Sequence, residues 1–164
     1  MSEQALLADL DFLAIDWQMH EHAPVFTVEE SAHLHETIAG AHTKNLFLKD
    51  ASGSFWLVTV RHDLRVDLKA LASALGARKF SFGKSEAMEA LLGVTPGAVT
   101  PLAAINDKGG KVQVVLDTAL ASHECVNIHP LRNTATLGLS GPALCIALAH
   151  WAHEPRISDI PERT

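Results

Sequence analysis

The chain has 164 residues, 48% hydrophobic and 20% charged, with only 7 prolines and 10 glycines; this fits one domain with a real core and excludes wholesale disorder. A formal net charge of −6 excludes nucleic-acid binding by bulk positive charge, and no apolar run approaches the ~20 residues that a membrane-spanning helix needs. The charge is unevenly spread: residues 1–43 hold eight acids and no Lys or Arg, whereas residues 44–84 hold eight bases against three acids. A basic middle in an acidic chain fits a phosphate-facing surface or simply scattered solvated charge.

In chain order, Leu6, Leu10, Leu13 and Trp17 have the spacing of an amphipathic helix over Ala5–Trp17, and the acidic start lacks the basic leader of a signal peptide. "PVFT" predicts a short strand, and Thr27 followed by Glu30 predicts a capping box for a second helix ending near Gly40. "KNLFLKD" and "SFWLVTV", separated by "DASG", predict a hairpin. Asp67 should cap "LKALASAL" and Gly76 should stop it; "KFSF" should be a strand; Ser85 should cap a helix ended by Gly93. "AVTPLAAI" and "KVQVVLD" around "NDKGG" predict a second hairpin. "ECVNIH" and "TATLGLS" predict two more strands, and "GPALCIALAHWA" a closing helix with Pro142 in its first turn. Residues 155–164 should be a loose tail. The fold class is therefore α+β: a single domain with a mixed, largely antiparallel sheet and helices packed around it.

Among candidate chemistries, "GKSEAMEALLG" lacks the upstream glycine of a phosphate-binding loop. The histidine pairs His20/His22, His33/His35 and His150/His153 suggest no third or fourth ligand, so no metal site is expected and the histidines should lie at the surface or at helix ends. Ser140, in Gly-x-Ser-Gly, reads as a helix cap and not as a nucleophile. Cys125 and His129, four apart on one strand, would sit roughly 13 Å apart, too far for proton transfer. Cys125 should be buried, and Cys125 and Cys145 read as reduced thiols of a cytoplasmic protein. What remains is polar residues at strand ends: Lys44 and Asn45, the loop Gly97–Pro101, and His129. Taken singly, each also reads as strand-edge, turn or capping polarity.

Together these residues resemble the YbaK/ProX-type prolyl-tRNA editing family of aminoacyl-tRNA deacylases. The likeness covers roughly residues 20–152. It rests on the strand-opening Lys44, the Gly-x-x-x-Pro loop Gly97-Ala98-Val99-Thr100-Pro101, the block "FSFGKSEAMEALLGVTPGAVTPLAAIND", and "VNIHPLRNTATLGLS". "TKNLFLKD", with asparagine after the lysine, most resembles the free-standing ProXp-ala branch, which clears alanine mischarged onto proline tRNA. The resemblance implies trans-editing hydrolysis of Ala-tRNA(Pro), with Lys44, Asn45 and His129 as functional residues and Gly97, Ala98, Val99, Thr100 and Pro101 as the substrate loop. It implies no cofactor. The acceptor end of tRNA(Pro) would be the partner, contacted by bases such as Lys49, Arg61, Arg78 and Lys84, with prolyl-tRNA synthetase or an elongation factor engaged transiently. No membrane partner is expected, and the lack of an obvious interaction helix points to a monomer. Serine or cysteine as the cleared residue, or a non-catalytic tRNA-binding module of the same fold, stay open on the sequence.

The residue types suit the reaction. A pocket sized for proline discriminates against a smaller amino acid by only ~1–3 kcal/mol, so a second site must remove the error. That site should be a small apolar pocket for alanine, with loop N–H groups near the developing oxyanion. Lys44 suits a phosphate or ribose, Asn45 can both donate and accept, and His129 has an ordinary pKa near neutrality and can move a proton or orient substrate.

Overall fold

The computed structural model describes residues 2–24 and 28–164. Helix α1 (Glu3–Phe12) starts at the Ser2 cap and stops short of the expected Trp17. The Ile15 N–H bonds back to the Leu10 carbonyl while Ala14 takes a left-handed turn (φ 57°), which tucks Ile15 into the core. Strand β1 (Gln18–Glu21) and helix α2 (Val28–Thr37) follow. The expected "PVFT" strand and the Thr27 cap lie outside the described residues.

Strands β2 (Ala41–Lys49) and β3 (Phe55–Arg61) form the predicted hairpin, with Lys44 opposite Val60 and Asn45 opposite Thr59. Asp50 builds the turn: its Oδ1 accepts from the N–H groups of Ser52 and Ser54, and its Oδ2 accepts from Trp56 Nε1. Helix α3 (Leu68–Leu75) has the Asp67 cap and the left-handed Gly76 stop that the sequence predicts. The strand expected at "KFSF" shrinks to β4 (Ser81–Phe82). Helix α4 (Ser85–Leu92) ends at Gly93 as predicted, but its cap is Lys84, not Ser85; the Gly83 N–H is tied to the Phe47 carbonyl and the chain enters the helix one residue early.

The second predicted hairpin does not form. Pro101–Asn106 is a 3-10 helix, with Pro101 in its first turn and Thr100 Oγ1 accepting from the Leu102 N–H. Strand β5 (Val112–Asp117) instead runs parallel to β3. The short helix α5 (Thr118–Ala121) leads to β6 (Val126–Ile128), β7 (Ala135–Leu139) and α6 (Gly141–His150), the last capped by Ser140. The tail is not loose. Strand β8 (Arg156–Ser158) pairs parallel to β5, Arg156 donates to the Leu75 carbonyl, and the Arg163 N–H bonds the Arg65 carbonyl.

The sheet order is β1-β7-β6-β2-β3-β5-β8, with β4 on β2. Four of its pairings are antiparallel and three parallel, so the mixed, mostly antiparallel α+β reading holds. The central strands are buried on both faces. Leu48, Val58 and Val60 pack under Leu71 and Leu75 of α3, while Phe47 and Leu57 face Met88 and Leu92 of α4 and the 94–99 loop. Two features of β2 position the site. Its side chains alternate between these faces. Between Thr43 and Phe47 it has β3 on one side and, among the described residues, no strand on the other, because β6 pairs only with Ala41–His42 and β4 only with Leu48–Lys49.

Candidate active site

A cavity of about 200 Å³ opens beside this gap in β2. It is smaller than the several-hundred-Å³ pockets that hold drug-sized ligands, and suits a group the size of one amino acid. Asn45 from β2, Gly97 from the predicted loop and His129 from the end of β6 line it, so three of the expected residues converge although they are far apart in sequence. Its walls are not the small apolar pocket expected. Only Leu34 and Ile128 are large and apolar; Ser31, Thr43, Asn127, Asn133, Thr136 and three further histidines make up most of the rest.

The loop contributes less surface and more structure than expected. Gly97 reaches the cavity, while Ala98, Val99, Thr100 and Pro101 are buried behind it. The Ala98 N–H is committed to the Thr95 carbonyl, which leaves it no role toward an oxyanion. A Cβ on Gly97 would lie 3.3 Å from Asn133 Nδ2, so glycine lets Asn133 approach. Asn45 clamps the loop: its Nδ2 donates to the Val99 carbonyl at 3.0 Å, and its Oδ1 accepts from the Thr59 hydroxyl at 2.6 Å.

His129 lies with Nδ1 3.3 Å from the Ala135 carbonyl. A carbonyl only accepts, so Nδ1 carries the proton and Nε2 of the neutral ring is an acceptor. Burial lowers the pKa of His129 below the ordinary imidazole value, the Ala135 hydrogen bond opposes this, and nearby His22 adds to it. His22 is oriented in the same way, with Nδ1 toward the Ala23 carbonyl and Nε2 accepting from Thr136 Oγ1. On the α2 side, His35 packs against both His42 and His62 with ring centroids 4.2 Å away in each case, tilted to the first and edge-on to the second. Burial, followed by the proximity of His42 and His62, lowers the His35 pKa to about 4. Nothing local in the sequence marks this cluster, nor Asn133 and Thr136. His35 does sit in the last turn of α2, as a helix-end histidine should, but its packing on His42 and His62 was not expected, and His153 is buried against Asp107 at 2.9 Å instead of lying at the surface. Cys125, expected buried, is half-exposed and lies outside the cavity.

Lys44 does not join the cavity. It opens on the α3 face of β2, into a groove of about 620 Å³ shared with Arg65, Arg163 and the exposed ring of Phe82. Of the other expected RNA-contacting bases, Arg61 lies 3.5 Å from Asp117, Lys49 sits over the Phe55 ring, and Arg78 and Lys84 are exposed. Among the described residues no helix is long and apolar enough to cross a membrane.

Comparison with known proteins gives the family. The aminoacyl-tRNA editing domain family matches residues 22–145. The chain is 39% identical over 140 residues to the prolyl-tRNA editing protein ProX of Acetoanaerobium sticklandii, covering 85% of each chain. It is 42% identical over 158 residues to the prolyl-tRNA synthetase associated domain-containing protein 1 of Bos taurus, covering 93% of this chain and 92% of that one. The fold is shared with the crystal structure of hypothetical protein APE2540 (TM-score 0.74, 22% identity, 96% of this chain and 97% of that one). The chain belongs to the aminoacyl-tRNA editing family, and it is an aminoacyl-tRNA deacylase.

Proposed function

We propose that this deacylase acts in trans on Ala-tRNA(Pro), hydrolysing the ester between alanine and the terminal ribose. The observation that supports it is the convergence of Asn45, Gly97 and His129 on one cavity of about 200 Å³. Water attacks the ester carbon, and Nε2 of neutral His129 accepts a hydrogen bond from that water or from the vicinal ribose hydroxyl. One N–H of the Asn45 amide holds the loop, and the second is free to donate to the substrate. The ring of proline is bulkier than the alanine methyl, so sparing the cognate product would rest on the cavity walls excluding that ring.

Lys44, with Arg65 and Arg163, would hold phosphates of the acceptor end. The edge of β2 at 43–47, which among the described residues pairs with no strand on this side, would let the RNA strand and its aminoacyl group lie on opposite sides of one strand. Lys49, Arg78 and Lys84 also face solvent and would be available to the stem. Contact confined to the acceptor end suits a chain of negative net charge. Prolyl-tRNA synthetase or an elongation factor would hand over the mischarged tRNA.

The polar wall favours a second reading, in which a seryl group places its hydroxyl among Ser31, Thr43 and Asn127. Deacylation measured side by side on tRNA(Pro) carrying alanine, serine, cysteine and proline separates the two. Fastest turnover of Ala-tRNA(Pro) with Pro-tRNA(Pro) spared is the expected result; fastest turnover of the seryl substrate would replace the alanine assignment.

A further inference from the structure

The Asn45 amide is held in one orientation, and the residue that fixes it lies outside the cavity. The amide group facing the Val99 carbonyl must be the NH2, since a carbonyl only accepts. The amide oxygen therefore faces Thr59, and the Thr59 hydroxyl must be the donor across their 2.6 Å contact. Thr59 is the cross-strand partner of Asn45, is 0% exposed, and stands between Val58 and Val60 with Leu116 beside it on β5. Burying a hydroxyl at this depth is unfavourable unless it is hydrogen-bonded, and valine would fill the same space without that cost.

We propose that Thr59 is a positioning residue for deacylation: its buried hydroxyl sets the Asn45 amide, and through it holds the Gly97–Val99 loop against the cavity. The inference rests on the reading of this cavity as the editing site. If the amide turned over, its oxygen would face the Val99 oxygen, and two acceptors repel. With valine at 59, the amide oxygen loses the donor that opposes this rotation, and the substrate-facing N–H loses its fixed direction. Thr59 thus acts only through Asn45 and touches no substrate.

The test compares single-turnover deacylation of Ala-tRNA(Pro) by the full chain, Thr59→Val, Thr59→Ser, and Thr59→Val combined with Asn45→Ala. Thr59→Val is expected to slow the reaction about 10- to 100-fold, the scale of a misplaced catalytic group. Thr59→Ser keeps the hydroxyl and should retain most of the rate. Stability should run the other way: valine fills the site and keeps the unfolding temperature, whereas serine leaves a methyl-sized void and lowers it. In the Asn45→Ala background Thr59→Val should change nothing further. Wild-type turnover by Thr59→Val overturns the proposal, as does a rate that tracks unfolding temperature across the variants. If the unmodified chain deacylates none of the four tRNAs, the editing reading fails instead. The positioning is then read directly from the Asn45 side-chain amide resonances: a shift and faster hydrogen exchange in Thr59→Val support it, and unchanged resonances refute it.

Discussion

Lys44 and Asn45 are adjacent in the chain and face opposite sides of β2, Lys44 toward the groove it shares with Arg65, Asp67 and Arg163 and Asn45 toward the cavity. Their substitutions should therefore fail in different ways. Lys44→Ala should raise KM and lower the salt dependence of tRNA binding by about 0.7 in the log–log slope, the loss of one phosphate contact on a single strand. Asn45→Ala should lower kcat about 100-fold with a smaller change in KM. Steady-state kinetics at several salt concentrations would check both.

The His129 pKa is lowered chiefly by burial, so the neutral, accepting ring persists to lower pH than for an exposed histidine. The acid limb of the kcat/KM profile should accordingly lie below the ordinary imidazole value. His129→Ala should remove that limb and cost about 100-fold or more in rate. A pH–rate profile of both proteins is the measurement.

His35 makes stability acid-sensitive. Its folded pKa of about 4 lies below its ordinary value of 6.5, so the unfolded chain binds the extra proton first as pH falls. The stabilisation is present above pH 6.5 and is lost as pH drops toward 4. The partners facing it are Ser31 on α2, His42 on β2 and His62 beyond β3. Unfolding temperature measured from pH 7.5 to 4.5 should fall, and should fall less in His35→Gln.

His153 and Asp107 form a buried pair, 4% and 3% exposed at their side chains, that ties the end of α6 to the turn before β5. Both ring nitrogens of His153 are engaged, one with Asp107 Oδ2 and the other with the Trp151 carbonyl, each at 2.9 Å. Burial alone would raise the Asp107 pKa, but hydrogen bonds from His153, Val112 and Lys111 outweigh it and hold the pKa low. Removing one partner strands the other charge, so His153→Ala should destabilise the fold by about 3–5 kcal/mol in a denaturant titration.

How much of this could be read from the sequence follows from range. Local signals gave the β2–β3 hairpin, the Asp67 and Ser140 caps and the Gly76 and Gly93 stops, because each is decided within a few residues. The parallel β3–β5 pairing was missed because "KVQVVLD" follows an apolar run that looks like its hairpin mate; Pro101 instead nucleates a 3-10 turn, and burial on both faces selects the partner. Strand β8 was missed because "RIS" carries no period and is held by β5 and by Arg156. In the site, motif order pointed to Asn45, Gly97 and His129. The period of two in a strand is the one local signal that turns Lys44 away from Asn45. His22, His35, Asn133 and Thr136 carry no local mark, since only the long-range pairing of β1 with β7 and the packing beside β2 bring them to the cavity.

The sheet path ends in β1 and β8, of four and three residues. Such short margins give another chain little template on which to add a strand, and so oppose edge-to-edge aggregation. The segment expected to be a loose tail thus covers the flank of β5, a six-residue strand that is almost wholly buried. Truncation at residue 155 would bare that flank, and the first symptom should be lost solubility, ahead of any lost turnover.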